Sequence, residues 1–331
     1  MRKPGLLMLV TAVACTLQAA ARPAAAQSPL DPSLQPYRAG EKLSGKLTLT
    51  GSYTMSQVAT VWVEGFRNYH PEVEIDVQVK GAVEAVHAVT AGEAQFGLLS
   101  RTMLQSEAMA FNEKHGHPPT LLTPMFESIA IFVNKDNPVK GLTIKDLDAI
   151  FSSTLKRGAA KSAATWGNVG LTGDWATKPI AVFGRRQATG VQVFFQEAVL
   201  GGGEFRPDMK EILDNTEMLQ EIAKTPNAIG FAGTSYSDAG VRMVPLAMQD
   251  GQPFVAADSV EATRGKYPLI RPLQLVMDQT PGEPLPELQA EFLKYVFSRF
   301  GQEDVIRAGM HPIGARPANL ALDAVGLGAI K

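Results

Sequence analysis

The chain has 331 residues, 45% hydrophobic and 19% charged, an ordinary composition for a globular protein with enough core for about two domains. A formal net charge of −2 and the lack of any basic run exclude the electrostatic footprint of a nucleic-acid-binding protein. Beyond the N-terminus, no stretch is long and apolar enough to span a membrane.

The first residues carry an export pattern. Arg2 and Lys3 precede an uncharged, mainly apolar stretch over residues 5–21, and Ala24-Ala25-Ala26 forms an A-x-A cleavage site before Gln27. Residues 1–26 are therefore expected to be a secretory signal, and the mature chain to be periplasmic. The single cysteine, Cys15, lies inside this segment. The other reading makes it a lipoprotein cysteine, but Ala12 stands where such boxes usually carry Leu. On the favoured cleavage the mature chain has no disulfide and no thiol chemistry.

Residues 27–42, rich in Pro and Ser, read as a flexible leader. KLTLT at 46–50 alternates like a strand and runs into Gly51-Ser52-Tyr53-Thr54. Met55, Val58, Val61, Trp62 and Phe66 then recur at helical spacing. A second strand is expected at 73–79, closed by Lys80-Gly81, with a short helix at 82–91. A third strand at 95–99 ends in Ser100-Arg101. Strand ends suited to a polar site matter because open α/β sheets bind ligands at the carboxyl ends of their strands.

A long apolar strand follows at 125–134, then a helix at 143–151 capped by Thr143. Residues 152–178 read as loop, anchored by Trp166 and Trp175. The stretch FGRRQATGVQVFFQEAVL, residues 183–200, is a strand end, a tight turn and a helix. Gly184 ends the strand, Arg185 and Arg186 follow, and Thr189 is the expected N-cap. A helix start with free N–H groups, with Gly190 allowing close approach and guanidinium groups nearby, forms an oxyanion pocket. The plainer reading is a surface turn with two solvated arginines. Further elements are a helix at 217–223, a strand at 228–232, a return strand between lobes at 243–247, a strand at 270–277 and a helix at 286–298.

Enzyme signatures are missing. His115 and His117 in KHGHPP read as a solvated polar loop rather than a metal site. His87 sits mid-helix, and the sequence has neither a G-x-S-x-G elbow nor a Walker loop.

Taken together, TGSYTM, FGLLSRTM, IAIFVNKDNPV followed by GLTIKDLDAIFSS, FGRRQATGVQVFFQE, NAIGFAG, YPLIRPLQL and GQEDVIRAGMHPIG resemble, in order and spacing, the phosphate-binding proteins of ABC transporters. The resemblance covers about residues 45–320. It implies a type II periplasmic-binding-protein fold, α/β and two-lobed, with the ligand cleft between lobes joined by crossing strands. Residues 43–126 plus 241–322 would form lobe 1 and 127–240 lobe 2, with 323–331 a tail. The implied function is capture of phosphate and its delivery to a transporter permease, by a monomer without cofactor or metal. Ser52, Tyr53, Thr54, Ser100, Arg101, Arg185, Thr189, Gly190 and Val191 fall on the family's anion contacts. The chain also departs from the pattern. An aspartate that accepts the proton of hydrogen phosphate is missing beside Ser100, Val191 replaces a hydroxyl, and Gln192 stands where an arginine is frequent. Gly81-Ala82-Val83-Glu84 replaces a Gly/Ser-rich turn and brings Glu84 near the site, with Arg101 or Arg186 as the expected partner. These departures leave open another oxyanion or small acidic solute, or a non-transport sensor or surface role.

Overall fold

The computed structural model describes residues 30–186 and 189–330; the expected signal segment and Cys15 lie outside them. The chain begins with β1 (Ser44–Gly51), α1 (Ser56–Arg67), β2 (Glu72–Val79), α2 (Ala82–Ala91), β3 (Phe96–Leu99) and α3 (Gln105–His115). It continues through β4 (Thr120–Asn134), β5 (Leu142–Thr143), α4 (Ile144–Phe151), β6 (Ala181–Arg185), α5 (Gly190–Leu200) and β7 (Lys210–Ile212). Next come α6 (Asn215–Lys224), β8 (Ala228–Gly233), β9 (Val241–Val244), β10 (Leu246–Ala247) and α7 (Val260–Thr263). β11 (Ile270–Met277), α8 (Glu287–Val296), α9 (Arg299–Arg307), β12 (His311–Pro312) and α10 (Ala315–Ala324) complete it.

One long sheet runs β2-β1-β3-β11-β4-β8-β6-β7. Its two ends are parallel, β1 with β2 and β3, and β6 with β7 and β8. Its middle is antiparallel, with β11 between β3 and β4. Parallel strands need crossover helices, and those helices bury the sheet faces. The buried residues fall into separate cores. One gathers Leu47, Leu49, Trp62, Phe66, Phe96 and Phe292, and a smaller cluster lies under α2 around Ala85, Val89, Phe111 and Val276. The other gathers Ile150, Phe151, Trp166, Phe195 and Phe231. β4 serves both sides, giving Leu122 and Met125 to the first core and Ile129 to Val133 to the second. It is the outbound crossing. Its 15 residues are enough to reach across both lobes.

The return crossing lies elsewhere than at residues 243–247. β9 folds back along β4 inside the second lobe, and β10 pairs with β5. Val244, Leu246, Ala257, Tyr267 and Leu269 belong to the second core, so this lobe extends past residue 240 to about Leu269. Pro245 supplies no ladder donor and separates two strands too short to cross. The chain crosses back in β11, eight residues long.

The leader differs as well. From residue 30 onward it is irregular yet packed. Leu34 and Tyr37 are buried, and the Arg299 N–H donates to the Gln35 carbonyl at 2.8 Å. Two apolar anchors suffice to hold a segment whose Pro- and Ser-rich composition reads as loose. The Tyr37 hydroxyl donates to Glu291 at 2.7 Å and lies 2.7 Å from His70 Nε2. The Leu43 N–H donates to His70 Nδ1 at 3.2 Å, so the ring proton sits on Nε2 and is donated to Tyr37. His115 and His117 are not a solvated loop either. Both rings face Asp278, at 3.0 Å and 3.3 Å, and His115 is the last residue of α3.

Burial pushes the imidazoles of His70 and His311 below their ordinary value of 6.5. His311 lies 2.7 Å from the Ser128 hydroxyl on β4. Between the folded-state value and 6.5 the unfolded chain binds protons that the folded chain declines, so stability falls as pH drops through this window. The urea midpoint should therefore decrease from pH 7.5 to pH 5.5, and His311→Gln should reduce that decrease. An equal decrease in the variant would remove His311 from the account.

Candidate functional site

The ends of β1 and β3 are held together by a glycine contact. Gly51 has φ 145°, and a Cβ there would sit 2.4 Å from the Leu98 carbonyl oxygen. The Ser52 N–H donates to that carbonyl at 2.9 Å. Ser52 then caps a single 3₁₀ turn, Tyr53–Met55, by accepting from the Thr54 N–H at 3.1 Å, and its hydroxyl donates to the Ser100 hydroxyl at 2.6 Å. Gly81, at φ 100°, opens α2 without a side-chain cap, so the first-turn amides of α2 remain available as donors.

Arg185 is the last residue of β6 and is only 8% exposed. Its Nε and Nη1 have no hydrogen-bond partner. Burial lowers its pKa, opposed by the charges of Asp214 and Glu217 and by Tyr236, and a guanidinium remains protonated throughout the physiological range. Thr189 caps α5 through the Gln192 N–H, as expected. Gly190, the first residue of α5, lies against the first lobe. A Cβ there would sit 2.8 Å from the Ser100 hydroxyl and 3.0 Å from its carbonyl oxygen. Asp214 caps α6, accepting from the N–H groups of Thr216 and Glu217.

These elements enclose a cavity of about 520 Å³ between the lobes. Ser52, Tyr53, Thr54, Ser100, Arg101, Arg185, Thr189, Gly190 and Val191 all line it. So do residues outside those nine: Lys80 and Arg186, which the sequence placed nearby, and Asp214, Asn215 and Tyr236, which it did not point to, with Val83 and Leu213 as apolar neighbours. Among the described residues, Lys80, Arg101, Arg185 and Arg186 face one carboxylate in the lining, Asp214. Arg101 is already neutralised, because both its terminal nitrogens bond Glu107 at 2.5 and 2.8 Å. The partnership expected between Glu84 and an arginine does not form with Arg101. Glu84 turns towards His87, 3.8 Å away, and does not line the cavity. Gln192 is buried in α5 and does not line it either.

Beneath this lining lies a second buried arginine. Arg271 of β11 donates through Nε and Nη2 to Glu127 of β4 at 2.9 and 2.6 Å, and through Nη1 to the Ser100 carbonyl at 2.7 Å. Its guanidinium carbon stands 5.7 Å from the Phe194 ring centroid on α5. YPLIRPLQL and the long strand of β4 were legible as strands. Their facing charges were not, because a residue pair far apart in sequence shows no local pattern.

Residues 36–299 match the PBP superfamily domain. Over 99% of this chain and 100% of the relative, the sequence is 39% identical to the phosphate-binding protein PstS of Pseudomonas aeruginosa strain PAO1. The chain belongs to the PstS family of phosphate-binding proteins. Its sequence is also 27% identical to PstS of Bacillus subtilis strain 168, over 92% of this chain and 93% of that one. Two solved structures share the fold. An ABC-type phosphate transport receptor from Vibrio cholerae has a TM-score of 0.62 at 22% identity, covering 81% of this chain and 100% of that chain. PstS from Borrelia burgdorferi has a TM-score of 0.57 at 17% identity, covering 82% and 99%. The two-lobed α/β architecture expected from the sequence is therefore that of the family.

Gly190 supplies a direct test of the cavity. In Gly190→Ala the added methyl would press on Ser100 and hold the lobes apart by a few tenths of an ångström. Anion affinity should fall about tenfold, equivalent to ~1.4 kcal/mol, as read by calorimetric titration. Thermal stability should hold or rise, since Ala favours a helix over Gly. Unchanged affinity would mean that the Gly190–Ser100 approach does not matter for binding.

Proposed function

We propose that this protein captures inorganic phosphate between its two lobes and hands it to an ABC transporter permease outside the cytoplasm. The observation that carries this reading is Arg185. A nearly buried guanidinium with two unpartnered nitrogens is costly, and an anion in the cavity is the partner that would relieve the cost. The surrounding groups suit a tetrahedral oxyanion. Arg185 offers a planar fork from the second lobe, Thr54 and Ser100 offer hydroxyls, and the starts of α2 and α5 offer backbone amides. Lobe closure about β4 and β11 would bring both sets onto one ligand.

Asp214 supports phosphate over sulfate. It gives the cavity a carboxylate that can accept the proton of hydrogen phosphate, and sulfate has no proton to give at neutral pH. It takes the place of the acid missing beside Ser100. A binding role is supported by the state of the serines too. Among the described residues no histidine lines the cavity, and the Ser52 hydroxyl points to Ser100 rather than to a base. Among the described residues no helix is long and apolar enough to cross a membrane. An exported monomer of residues 27–331 is the form this reading takes.

Calorimetric titration of residues 27–331 with phosphate tests it. The wild-type protein should bind saturably, and Arg185→Ala should weaken binding about a hundredfold, the equivalent of two charged hydrogen bonds at ~1.5 kcal/mol each. Absence of heat and of thermal stabilisation would sink the phosphate reading. Asp214→Asn retains a capping side chain and should admit sulfate, narrowing the phosphate-to-sulfate preference at least tenfold. Equal preference in both proteins would assign selectivity elsewhere.

A further inference from the structure

The cavity is larger than its anion cage requires. A bare tetrahedral anion of five heavy atoms displaces on the order of three waters, or ~90 Å³ at about 30 Å³ per water. The cavity holds about 520 Å³. The lobes already touch where Gly190 meets Ser100, and the outer part of the lining is open to solvent. There the chemistry changes. Tyr53 is 69% exposed, Val83 62% and Leu213 59%. All three line the same cavity, Tyr53 and Val83 from the first lobe and Leu213 from the second. Bare phosphate offers such side chains nothing, whereas pockets for organic ligands combine apolar walls with a few placed polar groups. Large exposed apolar side chains gathered at one site mark a contact surface.

Resting on the phosphate reading of the inner cage, we infer that the cavity also takes phosphate monoesters and phosphonates bearing a compact apolar or aromatic substituent. Such a ligand keeps three non-bridging oxygens for Arg185 and the hydroxyl donors. Its fourth substituent points outward between Tyr53, Val83 and Leu213. The first turn of α2 then has a reason to present Val83 where a hydroxyl would serve bare phosphate better. No bond is made or broken; the ligand binds and leaves intact.

Phenyl phosphate is the probe, titrated at pH 5.5, below its second pKa of about 6 so that it still carries a proton for Asp214, alone and in competition with inorganic phosphate against the protein of residues 27–331. The comparison variant carries Val83→Ala with Leu213→Ala, which trims the apolar side chains without adding a donor, at exposed positions where substitution leaves the fold intact. Phenyl phosphate should compete with phosphate, and the double variant should weaken it about tenfold while phosphate affinity stays within twofold. If phosphate binds and phenyl phosphate does not compete, the inference falls and the phosphate reading stands. If the double variant weakens both ligands equally, the apolar mouth is not a substituent site and the inference also falls. If folded protein binds neither ligand, the phosphate reading fails and takes this inference with it.

Discussion

Two arginines buried at the junction of the lobes set the terms for the rest of the molecule. Arg271 is fully partnered, by the Glu127 carboxylate and the Ser100 carbonyl. Arg185 is nearly as buried but leaves two nitrogens unmatched. A buried charge tolerates burial only when its partners replace water. The first arginine is therefore complete within the protein, and on the proposed reading the second is completed by the captured anion. The difference separates a structural guanidinium from a ligand-seeking one, and no feature of either residue's local sequence makes that distinction.

The Arg271–Glu127 pair also explains how the crossing strands and the cavity stay in register. Arg271 and Glu127 are opposite one another on β11 and β4, the two strands that pass between the lobes. Through Nη1 the same guanidinium fixes the Ser100 carbonyl, and Ser100 in turn receives the Ser52 hydroxyl. The first-lobe half of the cage is thus tied directly to the crossing strands. On the other side, Phe194 of α5 packs over the Arg271 guanidinium, and α5 begins at Gly190 beside Ser100. Small rotations about β4 and β11 would act on both halves of the cage through one side chain.

Much of this was legible in the sequence, and the misses have physical causes. Short-period patterns give β1, β2, α1, α2 and α5 nearly at their bounds, and the cap at Thr189 follows from hydroxyl chemistry. All nine expected cavity residues lie on one lining because strand ends followed by helix starts converge by topology. α3 escaped notice because only Phe111 on it is buried, which leaves no apolar stripe to read. With α3 unseen, Glu107 was invisible as the partner of Arg101, and Glu84 was left as the nearest acid. The return crossing was misplaced because residues 243–247 look apolar and extended, while the break imposed by Pro245 acts through a missing hydrogen bond rather than through hydropathy. Asp214 and Tyr236 reach the cavity from segments with no motif of their own, so only the fold brings them there.

The cavity's charge then has to be read against the whole chain. The full sequence is slightly acidic, with a formal net charge of −2, yet the cavity lining carries four cationic side chains and one carboxylate. Glu107 removes Arg101 from that balance, and the Asp214 charge opposes the burial that lowers the pKa of Arg185. What remains uncompensated is Lys80 and Arg186, both exposed at the rim, with Arg185 below them. Exposed cations at a low-dielectric concavity concentrate anions and hasten their entry, while screening by salt limits what they add to affinity. Affinity must then come from the buried fork of Arg185 and the fixed amides and hydroxyls, which salt screens much less. The division of labour follows from burial alone. On this reading rim charges would draw an anion in, the interior would decide whether it stays, and the apolar side chains at the mouth would decide what else the anion can carry.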